Sequence, residues 1–476
     1  MAIIITRRDF VKWTLGGVAW AGAGTWPGFG AEGTPSPLVS PGCRRTKVKV
    51  ARLYVGVPEA HYPNPNIDLK EEIRAYEARF AALQKEFADV DWCVTATLSS
   101  PDQIAQHKDQ VRDVDGILLI HVTLHTMPII REILELKRPT MIFSAPYAGH
   151  EWYELAQVRR QPLGAQMDCV LSTDYQQLAV AVRPFRALHH LREARILNLT
   201  TNAFDAYAEQ VKARFGTEIR KVPLERMTAL HDSIRDSEVA AETDRWIKNA
   251  EKVVEPKRDE ILASCRLALA FEKLLDEEEA TVMAVDCYGS MWRKLPAYPC
   301  IGFTRLNDMG LGGICQSDLP CAIMHVLYQG LCGRPGFVCN PTFDFASNSA
   351  TLIHCLGTRK MEGPAGPAHP YQLRSVMERR EGVVPQVRMS AGRRVTTGIL
   401  DETSTTLRYF AGEITDAPQT ERGCRSQIAV RVDGDAEKLW RNWTAGIHRV
   451  TCYGDIKKEL EYFCRFKAIE LVNEAV

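Results

Sequence analysis

The chain has 476 residues, 45% of them apolar and 25% charged, which is the balance of a globular protein too long for one ordinary core, so two or three domains are expected. Lysine plus arginine and aspartate plus glutamate both number 59, so the formal net charge is zero and the basic footprint of a general nucleic-acid binder is missing. The fourteen cysteines include no Cys-x-x-Cys pair, which argues against a zinc ribbon or a thioredoxin-type motif. Most sit in apolar runs (Cys93, Cys169, Cys265, Cys332, Cys464) and read as buried free thiols, because a chain of this size needs no disulfide framework.

In chain order, Thr6-Arg7-Arg8-Asp9-Phe10-Val11-Lys12 comes first and resembles a bacterial twin-arginine export signal, departing from its pattern only at Val11. The stretch after it, to residue 31, holds too many glycines and a proline to read as a membrane span. A mildly basic tail is the alternative. Phe29-Gly30-Ala31 is the candidate cleavage site, and 32–47, rich in proline and glycine, reads as a linker. The implied destination is the periplasm or beyond, by a route that carries folded proteins.

From Val48 strand-like and helical patterns alternate. Residues 48–57 read as a strand, and Leu69, Ile73, Tyr76, Phe80, Leu83 and Phe87 form the stripe of an amphipathic helix. Residues 91–98 are a second strand, and Ser100-Pro101-Asp102-Gln103 is a capping box opening a helix. Strands at 116–122 and 140–144 flank a helix at 128–136. This order predicts a parallel sheet covered by helices, an α/β domain over 48–194. No Gly-x-Gly-x-x-Gly follows the first strand, so a dinucleotide is not expected. His189-His190 reads as surface, while His121 and His125 close a strand where a cleft could lie.

A second α/β domain is expected over 195–363, with a strand at 195–200, a helix at 205–215, helical patterns over 237–278 and a strand at 281–286. Open α/β sheets bind ligands at the carboxyl ends of their strands, and Asp286 and Gln316 fit that position. The stretch 301–357 sets polar groups between short apolar runs and glycines, a recipe for a cleft. Gln316-Ser317-Asp318 runs into a helical pattern of Leu319, Ala322, Ile323, Val326, Leu327 and Leu331, with Pro320 in its first turn and Gly333 after its last. Gln316 and Asp318 thus lie at a helix N-terminus, which favours oxygen-rich ligands. Asp318 either caps that helix or serves a site, and Gln316 and Asn340 divide the same way. Asp344 and Asn348 follow, and His354 reads as a core histidine. After Pro364 short β-prone runs at 386–389, 394–400, 406–411 and 427–432 suggest a small antiparallel barrel or sandwich over 364–476, closed by a helix at 456–471.

These strings together resemble the L-fucose isomerase and L-arabinose isomerase superfamily. The resemblance rests on Leu306-Asn307-Asp308-x-Gly310 before Cys315-Gln316-Ser317-Asp318, and on Gly333-Arg334-Pro335-x-Phe337 followed by Asn340-Pro341. It rests further on His354-Cys355, Cys424-Arg425-Ser426-Gln427 and Gly446-x-His448 with Tyr453-Gly454-Asp455. It implies two Rossmann-like α/β domains and a C-terminal antiparallel β-barrel. It also implies aldose–ketose isomerisation through an enediol on a divalent cation, usually Mn2+, with a sugar as substrate and a homotrimer or homohexamer whose clefts lie between subunits. The metal ligands fall on Gln316, Asn340 and His448, and the acid–base positions on Gln316 and Asn340, with Asp318, Asp344 and Asp286 as carboxylates that could take over. Two carboxylates of the pattern are amides here, which bind cations weakly and cannot act as bases near neutral pH. A carbohydrate-binding protein without turnover is therefore the alternative expectation.

Overall fold

The structure, a computed structural model, describes residues 43–149 and 151–476. The twin-arginine-like motif, its cleavage site and the expected linker up to residue 42 lie outside the described residues. The end of that linker is no free tether. Cys43 and Arg44 are buried, Arg44 Nη1 pairs with Asp276 Oδ1 at 2.5 Å, and the Thr46 carbonyl lies 3.0 Å from His189 Nε2. Proline and glycine content alone could not reveal these partners.

The first sheet holds β1 (Val48–Val55), β2 (Val90–Leu98), β3 (Gly116–His121), β4 (Thr140–Ser144) and β5 (Met167–Leu171), all parallel in the order β2-β1-β3-β4-β5. This is a doubly wound order that reverses between β1 and β3. Strand alternation supplies two cores: Leu118 and Ile120 join one cluster, Ile117 and Leu119 the other. The capping box at Ser100 is present, with Gln103 Oε1 accepting from the Ser99 and Ser100 amides at 2.6 and 3.3 Å. It opens a 3-10 helix, Pro101–His107, rather than a long α-helix.

The second parallel sheet uses β6 (Arg195–Leu199), β7 (Glu218–Lys221), β9 (Val282–Val285) and β10 (Gly312–Cys315), in the order β10-β9-β6-β7. The short β8 (Lys252–Val253) stands apart. The parallel architecture ends at the helix Leu319–Cys332. Asp318 caps it by accepting the Cys321 amide at 3.0 Å, and Gly333 stops it at φ 68°.

The β-rich texture begins earlier than Pro364. β11 (Phe337–Asp344) and β12 (Ser349–His354) form a hairpin that belongs with the later strands. Their polar residues disguise them, because β12 buries only alternate positions and β11 is half-buried or exposed from Asn340 on. β13 (Tyr371–Arg374) and β14 (Val384–Val387) pair with β8 in a small sheet. β15 (Arg394–Leu400), β16 (Thr406–Asp416), β17 (Ser426–Val432), β18 (Arg449–Tyr453) and β19 (Glu470–Asn473) complete the set. β11, β12, β15, β16, β17 and β18 each pair antiparallel with two others of the six, and β19 adds to β16 in parallel. The fold is thus mixed α/β, two parallel sheets and a separate antiparallel one.

The helix Gln177–Glu193 joins these layers. It contributes Phe185 to the first sheet's core and Ala187 to the core around the helix Leu319–Cys332. The two helices cross so closely that a Cβ on Gly330 would lie 2.4 Å from Ala187 Cα. His189 and His190 are consequently buried, at 1% and 2% exposure, not on the surface. Layers cover both sides of this helix, and Asp115, 74 residues away, receives His189 Nδ1 at 2.9 Å. No helix among the described residues is long and apolar enough to cross a membrane.

Candidate site around Asp318 and His448

Three local structures converge on one carboxylate. The first is the turn that ends β10. Gln316 and Ser317 hold φ at 56° and 53°, a left-handed conformation that costs non-glycine residues of order 1–3 kcal/mol each. Two bonds hold it there. The Ser317 amide donates to the Val285 carbonyl at 3.0 Å, and its hydroxyl donates to Asn198 Oδ1 at the end of β6. The turn delivers Asp318 to the helix N-terminus, where Cys321 stands one turn on.

The second is the segment before β18. His448 is buried, and its Nδ1 lies 2.8 Å from Asp318 Oδ2. Arg449 fixes this segment from behind. It is fully buried with Glu474 at 2.8 Å, donates to the carbonyls of Ala445, Gly446 and His448, and lies 4.1 Å over the Trp443 ring. The third is β11. Its register with β18 sets Cys339 opposite Arg449, and Asn340 is the next residue along β11 as His448 is the one before β18. The His354 ring lies 5.4 Å from that of His448.

Polar atoms without partners gather here. His448 Nε2, Asn340 Oδ1, His354 Nδ1 and Tyr207 Oη are all buried with no hydrogen bond among the described residues. Each such group costs about 1–3 kcal/mol when nothing meets it. Burial works to raise the Asp318 carboxyl, but the hydrogen bond and charge of His448, with the Cys321 amide, hold it below the usual carboxylate range. Burial, then the neighbouring His448, pushes His354 down to about 3, so it stays neutral. Burial, then the charge of Asp318, raises the Tyr207 hydroxyl, which keeps its proton. The atoms of Asp318, Cys321 and His448 lie within 4.8 Å of one another, a group able to hold a metal ion.

The expected site residues divide. Asp318 and His448 meet, and Asn340 follows Cys339, the last β11 position in register with β18. Gln316, two residues before Asp318 in the turn, is exposed. Asp344 lies elsewhere: exposed at the hairpin tip, it accepts from the Ala346 amide at 3.0 Å and the Ser347 hydroxyl at 2.7 Å. Four residues along β11 from Asn340, it is about 13 Å further on, and its carboxylate serves the turn. Asp286 ties two strand ends together, accepting from Thr200 Oγ1 at 3.2 Å, Asn202 Nδ2 at 3.0 Å and the Ser290 amide at 2.8 Å. Cys321 and Tyr207 were not expected. The Asp318-x-x-Cys321 spacing on a first helical turn was a readable signal, whereas Tyr207 arrives from a distant helix and left none.

Fold and geometry together define a mixed α/β protein with a carboxylate-anchored histidine at the junction of a parallel and an antiparallel sheet. No protein-family model matches the chain, and no curated protein matches it either.

Proposed function

We propose that this chain is an exported sugar isomerase-like protein, interconverting an aldose and a ketose through an enediol at an altered divalent-cation site. The reading is carried by one observation: Asp318 receives His448 Nδ1 at 2.8 Å while Nε2 is buried and unpartnered. Metal-binding histidines use one nitrogen for the ion and give the other N–H to a carboxylate, which fixes the tautomer and the ring. His448 Nε2 and the Asn340 amide oxygen would hold a Mn2+-like ion, with Gln316 in the turn before Asp318. Both buried atoms lack partners among the described residues, and amide oxygens are donors such an ion accepts, but the set carries no negative charge and would hold it weakly. When bound, the cation would polarise the two adjacent sugar oxygens.

The chain's own residues supply orientation and charge. Asp318 is ionised, and its hydrogen bond to His448 Nδ1 presents the Nε2 lone pair inward. Tyr207 keeps its phenolic proton and is available as a donor to a sugar hydroxyl. Asp318 is the carboxylate nearest the reacting carbons in this reading, and proton transfer falls to it. The antiparallel strands would form the barrel that the resemblance implies, and the assembly would be a homotrimer or homohexamer.

A second reading, a sugar-binding protein without turnover, is favoured by a specific observation. Gln316 and Asn340 are amides, Asp344 serves its turn, and both Asp318 oxygens are already engaged. Metal analysis of the purified chain and its His448→Ala variant, paired with ketose formation from aldoses including L-fucose and L-arabinose, separates the two. Near-stoichiometric metal that disappears with His448, together with turnover, supports the isomerase. A metal-free, inactive chain that still binds sugars establishes the second reading. Asp318→Asn keeps the helix cap but is expected to lower cation affinity about 10- to 100-fold.

A further inference from the structure

A second group of ligating side chains lies apart from Asp318 and His448. Cys355 follows β12, Cys424 precedes β17 and Glu378 sits between β13 and β14. The Cys355 and Cys424 sulfurs are 3.9 Å apart, and Cys424 Sγ is 3.7 Å from Glu378 Oε1. All three ligand atoms fit within 4.8 Å of one another.

Three separations decide what this group suits. A disulfide needs sulfurs about 2.0 Å apart. Two thiolates on one tetrahedral ion, each at about 2.3 Å, stand about 3.8 Å apart. The observed 3.9 Å matches the second. The carboxylate is held as well, because Tyr288 Oη donates to Glu378 Oε2 at 3.2 Å. That is the outer hydrogen bond that orients a ligating oxygen. Burial grades outward from Cys355, buried, through Cys424, half-buried, to Glu378, exposed, so one side faces solvent.

We propose that Cys355, Cys424 and Glu378 form a site for a thiophilic divalent cation of the zinc class, with its fourth position open to solvent or an exogenous ligand. Two sulfurs and one oxygen suit zinc better than manganese, which prefers oxygen donors in six-fold geometry. Three protein ligands with an open fourth place are the pattern of a reactive zinc rather than a purely structural one. Binding converts two thiols to thiolates and releases two protons, with no change of oxidation state. Behind the group lies a reserve of thiols, Cys287 and Cys315 with sulfurs 3.3 Å apart and the buried Cys300.

The test uses the full chain, reduced and stripped of metal, titrated with Zn2+ and, for its spectrum, Co2+. One ion per chain with sulfur-to-cobalt charge-transfer absorption is expected, apart from any ion held at His448, which has no sulfur ligand in the proposed set. C355S and C424S should each weaken binding on the order of 100-fold or more, and Y288F about 10-fold. E378Q, at an exposed position that leaves folding untouched, should weaken Zn2+ binding while keeping the charge-transfer band. C287S should keep both band and affinity, and H448A, which removes the other proposed cation ligand, should keep the band. Absence of the band in the reduced wild type, or its survival in both C355S and C424S, overturns the proposal. So does a Cys355–Cys424 disulfide in the isolated chain whose reduction yields no Co2+ binding.

Discussion

His189 offers the strongest test of the packing between the first sheet and its neighbours. Nδ1 faces the Asp115 carboxylate at 2.9 Å and Nε2 faces the Thr46 carbonyl at 3.0 Å. Arg192 shares this corner, with Nη2 2.8 Å from His189 Nδ1 and Nη1 on the second Asp115 oxygen, so one buried carboxylate faces two cationic groups, and its pull on Nδ1 with the Thr46 carbonyl on Nε2 favours the doubly protonated ring. Burial alone would lower its pKa, but Asp115 and Cys43 overcome this and raise it to about 10. The folded value exceeds the unfolded one of about 6.5, so the stabilisation is complete below pH 6.5 and disappears as pH climbs through 10. The difference of about 3.5 units corresponds to roughly 5 kcal/mol, with half of it lost near pH 8.2. The assay is denaturant unfolding of the wild type and His189→Gln at half-unit steps from pH 6 to 10. Subtracting the two curves removes the contribution of other groups, cysteines included. The expected difference falls steadily across that window. A flat difference curve, or a His189 ring resonance that titrates below pH 7, would refute the charged-pair account.

Two further outcomes follow from packing. Gly330→Ala forces a methyl against the Ala187 backbone, where the helices cannot both stay in place, and should cost about 1–3 kcal/mol by denaturant midpoint. Arg449→Met leaves Glu474 charged and buried, an expected loss of about 3–5 kcal/mol. Arg449→Met with Glu474→Leu should recover most of that, and a double variant no better than the single would contradict the pair's role.

Much of the fold was legible because its signals are local. The capping aspartate, the proline and the stop glycine bounded the helix Leu319–Cys332 within a residue, and the strand runs of the first domain were readable from apolar patterning. The failures share a different cause. His189, read as surface, depends on Asp115, 74 residues back, and no local pattern announces such a partner; His448 was singled out, but not its bond to Asp318, 130 residues back. β11 and β12 escaped because a half-exposed hairpin carries the same polar residues as a binding loop. Asp344 was a local misreading: Asp-Phe-Ala-Ser is a turn whose aspartate bonds its own backbone two residues on. At the site, residue types pointed to Asp318, Asn340 and His448, but only the three-dimensional arrangement shows which atoms are spent and which are left over.

The 130-residue separation between Asp318 and His448 also sets a timetable. At about 5–20 residues per second of synthesis, roughly 7 to 26 seconds pass between the appearance of the carboxylate and that of its imidazole. During that interval the helix Leu319–Cys332 can form and dock against Gln177–Glu193, since its cap and its crossing partner already exist. The corner around Asp318 and His448 cannot, and a chain interrupted between that helix and β18 would hold every strand of the two parallel sheets but no Asp318–His448 pair. The Asp318–His448 pair is therefore a late contact, made only after the antiparallel sheet has drawn the far end of the chain back to Asp318.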